Sequence, residues 1–211
     1  MSAAERVPVA VLISGRGSNM GALVAASQEP DFPARIVCVI SDKADAAGLA
    51  HAREQGIEAV AVPRRDYPSK AEHEAAVIAT IEASGARIIA LAGYMRLLSA
   101  DFVRRYAGRM INIHPSLLPA FPGLATHERA LAAGCRVHGC TVHFVTEGMD
   151  EGPIIEQEAI RVVPDDTADT LAARVLAAEH RIYPRALAML ARGEVRMGSG
   201  GRTVHKVPSG D

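Results

Sequence analysis

A chain of 211 residues with 49% hydrophobic content carries enough apolar side chain for one core of ordinary domain size, and two independently folded domains would each be cramped. Lys and Arg number 23 against 24 Asp and Glu, with no Trp, four Tyr and four Phe, so neither a basic nucleic-acid groove nor a set of base-stacking platforms is expected. No stretch approaches the roughly 18 apolar residues of a membrane span, and the N-terminal "MSAAERVPVAVLISG" lacks a cleavage pattern, so the expected location is the cytoplasm.

Apolar runs of strand length follow one another along the chain: "VPVAVLI" (7–13), "RIVCVI" (35–40), "IEAVAV" (57–62), "ARIIALA" (86–92) and "GRMINIH" (108–114). Helix-length intervals separate these five. That alternation predicts βαβ units, because parallel strands need helical crossovers and, covered on both faces, read as continuous hydrophobic runs. Two further runs, "GCTVHFV" (139–145) and "PIIEQEAI" (153–160), are joined by the short "TEGMDEG" and predict an antiparallel addition. The expected fold is α/β: a Rossmann-like, mostly parallel twisted sheet of about seven strands, with helices on both faces and an antiparallel C-terminal addition.

The amphipathic segment 167–193 predicts a long helix, with Asp165, Asp166 or Thr167 as its cap, Gly193 at its end and a kink or restart at Pro184. The last residues, "GSGGRTVHKVPSGD", read as a turn, one short strand and a tail. The domain reading is therefore one domain over 1–197 followed by a C-terminal turn and tail over 198–211. Cys38, Cys135 and Cys140, an odd count without C-x-x-C spacing, are expected to be free thiols.

The first strand runs into "SGRGSN" (14–19) just ahead of a helical segment. Glycines at 15 and 17 allow a tight turn and close backbone approach, and a helix start offers unpaired N–H groups, so phosphate is the natural guest. The stretch is not a dinucleotide fingerprint, since the third glycine would fall at Met20. Asp42, after the second strand, is placed to serve as a ribose-binding acid in a nucleotide reading; a tight turn without ligand is the alternative.

Asn112 and His114 interrupt the fifth run with strong hydrogen-bonding groups. Being two residues apart on a strand, they share a face, at the carboxyl end where such sheets build their sites. Pro115 and "PSLLPAFPG" read as a rigid loop walling a cleft. If the turn bearing Asp150 folds over the end of that strand, an Asn/His/Asp set results. Such a set suits acyl transfer to an amine, with donors for an oxyanion and a carboxylate to help move the amine's proton. An Asx-turn role is the plainer reading of Asp150. Cys140 reads as core and not as a nucleophile. Among Cys135, His138, Cys140 and His143, strand geometry puts His138 and Cys140 on one face and His143 on the other, so no metal site is expected.

Taken together, "VLISGRGSNM", "ISDKADAAGL", "LAGYMRLLS", "GRMINIHPSLLPAFPG", "HGCTVHFVTEGMDEGPII" and "AEHRIYP" resemble the phosphoribosylglycinamide formyltransferases, folate-dependent enzymes of de novo purine synthesis. The resemblance spans about residues 7–197 in colinear order. It implies transfer of a formyl group from 10-formyltetrahydrofolate, as co-substrate, to the amine of glycinamide ribonucleotide, with no metal. The implied partners are small molecules, neither nucleic acid nor membrane, and the implied assembly is a monomer or homodimer. By the resemblance, Asn112 and protonated His114 stabilise the tetrahedral oxyanion, while Asp150 raises the His114 pKa and assists proton removal from the amine.

The same resemblance assigns the substrate phosphate to Gly17, Ser18 and Asn19, and the ribose to Glu179. Folate is assigned to Lys70, Met95, Arg96, Leu97, Leu98, Val145, Thr146, Gly148 and Met149. On residues alone, Lys70 reads as a solvated charge, and the Met and Leu side chains of "YMRLL" read as core in a strand-to-helix connection. The chain departs from the pattern at Leu176, often polar or basic in relatives, at Ala125, a histidine in some, and at Arg16 inside the glycine loop. A methionyl-tRNA formyltransferase would bring an added barrel, and a formyltetrahydrofolate hydrolase an N-terminal regulatory domain, for which 211 residues leave no room. A non-catalytic nucleotide-binding protein is the alternative from another class.

Overall fold

The computed structural model describes residues 6–206. In chain order the elements are β1 (Val7–Ile13), α1 (Ser18–Gln28), β2 (Ala34–Ser41), α2 (Ala47–Glu54), β3 (Glu58–Ala61), α3 (Lys70–Ala83), β4 (Ile88–Leu91), α4 (Ala100–Arg105), β5 (Met110–His114), α5 (Thr126–Ala132), β6 (Val137–Phe144), β7 (Ile154–Arg161), α6 (Ala168–Ala191), β8 (Val195–Met197) and β9 (Thr203–His205), with a 3-10 turn at Arg64–Asp66. β1 to β7 form a seven-stranded sheet in the order β3-β2-β1-β4-β5-β6-β7, and β8 pairs with β9. The described residues divide into two compact units, one ending at Ile111 and the other beginning at Asn112.

In the first unit, β1 pairs in parallel with both β2 and β4, and β2 pairs in parallel with β3. Val9 to Ile13 are wholly buried, as a parallel strand covered on both faces requires. Helix starts follow side-chain chemistry: the Ser69 hydroxyl accepts from Glu72 N at the head of α3, and the Ser99 hydroxyl accepts from Phe102 N at the head of α4.

In the second unit, β6 and β7 are antiparallel, with a register shift where Val142 faces Glu156 and His143 faces Ile154, leaving Ile155 as the extra residue on β7. Thr167 and Thr170 form a reciprocal capping box at the start of α6. Leu171, Val175, Ala178, Ile182 and Ala186, at helical spacing, carry its buried stripe. The helix continues through Pro184 to Ala191, so the restart expected there does not occur. Proline removes one N–H donor, and the buried residues on both sides of it, Ile182, Tyr183, Ala186 and Leu187, hold the helix together by packing.

The one short strand expected within 198–211 is β9, and it pairs antiparallel with β8, which lies just before that segment and which the apolar runs do not announce. α5, which no strong sequence signal announces, follows Ala125 in the left-handed region (φ 54°) without a side-chain cap. The end of the anticipated tail, 207–211, lies outside the described residues. Among the described residues, no helix is long and apolar enough to cross a membrane.

Candidate active site

The first unit supplies two of the anticipated binding segments. Gly17 caps α1 with φ 73° and no side-chain cap bond is made there, so the helix N-terminus lies at Ser18 and Asn19. The turn needs glycine twice over. A Cβ on Gly17 would meet the Gly48 Cα at 3.1 Å, and a Cβ on Gly48 would meet Ile13 Cδ1 at 2.5 Å. Gly48 N also donates to Gly15 O at 3.1 Å, tying the "AAGL" stretch to the glycine loop. Arg16, the departure noted above, is exposed.

The second segment is the loop after β4. Its start is fixed by the buried Ser14 hydroxyl, which accepts from Met95 N at 2.8 Å. Its end is fixed by the buried Glu74 carboxylate, which accepts from Ser99 N at 2.8 Å and from the Ser99 hydroxyl. Between them, Arg96 Nε donates to Asp42 Oδ2 at 2.6 Å. Backbone and charge thus set this loop. Met95 and Leu97 stay 70% and 68% exposed, which overturns the core reading of those side chains. Leu98 is half-buried. Asp42 is likewise not the open ribose acid of a nucleotide site, since Arg96 holds it. Lys70 Nζ lies 3.7 Å from Glu74 Oε1, with its side chain half exposed.

The second unit brings Asn112, His114 and Asp150 together. His114, buried at the end of β5, places Nδ1 3.4 Å from Asp150 Oδ2 and Nε2 3.0 Å from the Phe121 carbonyl. A carbonyl only accepts, so Nε2 carries a proton. Asp150 is held in the left-handed region (φ 55°), and its Oδ2 accepts from Gly123 N at 2.8 Å. Strained backbone of this kind persists where the surroundings over-determine it. The turn around it is equally tight: a Cβ on Gly152 would meet the Phe144 carbonyl oxygen at 1.7 Å.

A fourth residue joins them. His143 Nδ1 donates to the Phe144 carbonyl at 2.9 Å, while Nε2 lies 3.3 Å from Asn112 Nδ2 and 3.9 Å from Asp150 Oδ1. Burial is the main cause lowering the His143 pKa, opposed by its bond to Phe144 and by the Asp150 charge. A neutral ring protonated at Nδ1 leaves Nε2 as an acceptor, which orients the Asn112 amide with its N–H toward the histidine.

The loop after β5 hangs on one buried hydroxyl. Thr141 Oγ1 donates to Ser116 O at 2.7 Å and accepts from Leu118 N at 3.0 Å and Gln157 Nε2 at 2.9 Å. The Leu118–Pro119 peptide is cis. Val145 and Thr146, just after β6, are half-buried, Gly148 is covered by Glu151, and Met149 is 55% exposed. Glu179 is buried on α6, where its charge, after burial itself, helps push the Cys140 thiol up to about 12. Cys140 is therefore a core thiol and no nucleophile at neutral pH. Leu176 is half-buried on the same helix. All three cysteines are free.

Residues 7–187 match the family model described as formyl transferase. The trifunctional purine biosynthetic protein adenosine-3 of Bos taurus is 49% identical over 198 residues, which is 94% of this chain and 20% of that protein; the chain thus spans about a fifth of such trifunctional relatives. The phosphoribosylglycinamide formyltransferase of Escherichia coli (strain K12) is 42% identical over 189 residues, covering 90% of this chain and 89% of that protein. The crystal structure of the phosphoribosylglycinamide formyltransferase from Brucella melitensis superposes with a TM-score of 0.86 at 58% identity, covering 89% of this chain and 96% of that one. With a family model matched over most of its length, this chain belongs to the formyl transferase family.

Proposed function

We propose that the protein transfers the formyl group of 10-formyltetrahydrofolate to the amine of N1-(5-phospho-D-ribosyl)glycinamide, giving the N2-formyl product and tetrahydrofolate in de novo purine biosynthesis in the cytoplasm. The observation that carries this reading is the Asn112, His114 and Asp150 cluster at the end of β5, in a chain of this family.

The amine nitrogen attacks the formyl carbon directly, and the carbonyl electron pair moves onto oxygen. The Asn112 amide, oriented by His143, and the proton on His114 Nε2 are the donors for that oxyanion. Nε2 already donates to the Phe121 carbonyl at 3.0 Å, so the reacting oxygen takes over a bond that the free protein makes to itself. Collapse of the intermediate breaks the bond from the formyl carbon to the folate nitrogen, which leaves with a proton delivered from His114. Asp150 accepts the proton released by the attacking amine, through water. No covalent enzyme intermediate is required, since an unprotonated amine is itself the nucleophile and the enzyme's task is orientation and charge stabilisation. In this reading Gly17, Ser18 and Asn19 hold the phosphate, Glu179 meets the ribose, and Lys70, residues 95–98 and Val145, Thr146, Gly148 and Met149 hold the folate.

The test is a spectrophotometric assay of the purified chain with a 10-formylfolate donor, run with and without the glycinamide ribonucleotide acceptor. Acceptor-dependent release of deformylated folate is expected. Donor breakdown that ignores the acceptor would replace the transferase reading with a hydrolase.

A further inference from the structure

The loop from β5 to α5 ends in five residues, Phe121 to Ala125, that touch both His114 and Asp150. The Phe121 carbonyl accepts from His114 Nε2 at 3.0 Å, and Gly123 N donates to Asp150 Oδ2 at 2.8 Å. The segment is poorly suited to hold that shape by itself. Phe121 and Ala125, neither of them glycine, both lie in the left-handed region at φ 54°, and Pro122, Leu124 and Ala125 are exposed. Backbone of this kind persists only where its surroundings over-determine it.

Arg129, one turn into α5, supplies that determination. Its Nη1 donates to the Pro122 carbonyl at 2.6 Å and to the Leu124 carbonyl at 3.3 Å. Its guanidinium carbon lies 5.5 Å from the centre of the Phe121 ring, and its backbone N–H donates to the Ala125 carbonyl at 3.0 Å. One residue thus reaches four of the five. Charged donors make the stronger hydrogen bonds, and a cation within about 6 Å of a ring face is attracted to it. The holds alternate along the segment: His114 on residue 121, Arg129 on 122, Asp150 on 123, and Arg129 again on 124 and 125. Any shift of 121–125 therefore moves the partner of the His114 ring and the partner of the Asp150 carboxylate together.

The ring of His114 faces two acceptors, the Phe121 carbonyl at 3.0 Å from Nε2 and Asp150 Oδ2 at 3.4 Å from Nδ1. The shorter contact selects the neutral form protonated at Nε2, so the place of the Phe121 carbonyl decides where that proton sits. We propose that Arg129 is a positioning residue for formyl transfer: by clamping 121–125 it keeps the His114 proton on Nε2, where the oxyanion takes it up, and keeps the Gly123 amide on Asp150. The inference rests on the functional reading above.

The test compares Arg129→Met, which keeps a long stem and removes every side-chain donor, with Arg129→Lys, which keeps one charged donor, in steady-state assays of the full chain. Arg129→Met should lower kcat about tenfold and leave the KM of both substrates within about twofold, since the residue acts through His114 and Asp150 and touches neither substrate. Arg129→Lys should recover part of that loss. A second readout needs no turnover. In protein carrying isotope-labelled histidine, ring-nitrogen NMR shifts at a pH where His114 is neutral should show the Nε2–H form in the unsubstituted chain and a mixture of both forms in Arg129→Met. A raised KM at unchanged kcat, a kcat within about twofold of the parent in Arg129→Met, or an unaltered His114 form in that variant would overturn the proposal. If the unsubstituted chain transfers no formyl group, the functional reading falls, and the NMR comparison still decides whether Arg129 positions His114.

Discussion

The loop after β4, in the first unit, and the loop after β5, in the second, both carry anticipated site residues but are fastened by different physics. The first is tied by charge to buried carboxylates, with the half-exposed Arg96 on Asp42 and Ser99 on Glu74, and it leaves Met95 and Leu97 in solvent. The second is tied from within, by the Thr141 hydroxyl beneath it and by His114 and Asp150, which bond its Phe121 carbonyl and Gly123 amide. A charged clamp with one half-exposed partner, Arg96, adjusts to a guest at small cost. A buried polar knot whose members are each other's partners gives an all-or-nothing geometry, as an oxyanion site needs.

The comparison breaks most visibly at the reacting groups of the second loop. Asp150→Asn keeps an oxygen for the Gly123 amide but removes the charge, and His114→Asn removes the donor on Nε2. Each should lower kcat on the order of a hundredfold to a thousandfold in a protein that still folds, judged by a retained cooperative denaturation transition. Near-normal turnover in either would remove that residue from the chemistry.

Thr141→Val tests the knot itself. It retains shape but strands the Leu118 amide, the Ser116 carbonyl and one Gln157 hydrogen, all inside the second unit. The expected loss of stability is about 2–3 kcal/mol in denaturant titrations, insensitive to salt. A loss below about 0.5 kcal/mol would mean that these groups find other partners.

How much of this was legible in the chain depends on the range of the signal. β1 begins and ends at 7 and 13 as its apolar run does, and α6 starts at the Thr167 cap and ends just before Gly193. Asn112 and His114 stood out because two polar groups at strand spacing broke a hydrophobic run. His143 enters the sequence reading only as a rejected metal ligand, and its place beside Asn112 is not legible there. A single histidine in "GCTVHFV" reads as one more buried ring, and its partner Asn112 lies 31 residues away. Met95 and Leu97 misled for the converse reason. Their side chains look like core, but the loop's position is set by Ser14, Asp42 and Glu74, whose roles depend on contacts between distant segments.

Acid should weaken the second unit through its buried and half-buried histidines. Burial, with the nearby His127 charge, pushes the His138 pKa down to about 4, and burial lowers those of His127, His143 and His180. The unfolded chain, titrating near 6.5, then binds more protons than the native one, so the stability these groups confer is complete above about pH 6.5 and is lost as pH falls toward 4. Each contributes a slope of at most about 1.4 kcal/mol per pH unit. His138→Gln should flatten the fall in denaturation midpoint between pH 6.5 and 4.5, and an unchanged profile would exclude His138 as a source of it.

Asp42→Asn tests the charged clamp, and its effect should be the smallest. Arg96 is 46% exposed, so its pair with Asp42 is partly screened and worth at most about 1 kcal/mol in stability, declining with salt. The amide keeps an oxygen for Arg96 Nε but no longer neutralises it, which leaves the guanidinium both less fixed and more positive toward an incoming carboxylate. Freedom raises the KM for a folate donor, while the added charge lowers it. Because asparagine retains the acceptor, loss of fixation is the weaker of the two, and that KM should fall by about twofold at low salt and return toward the parent value at high salt. Asp42→Ala removes acceptor and charge together. For that variant the KM should rise, and a fall like that of the asparagine variant would show that Asp42 tempers the charge of Arg96 without positioning it.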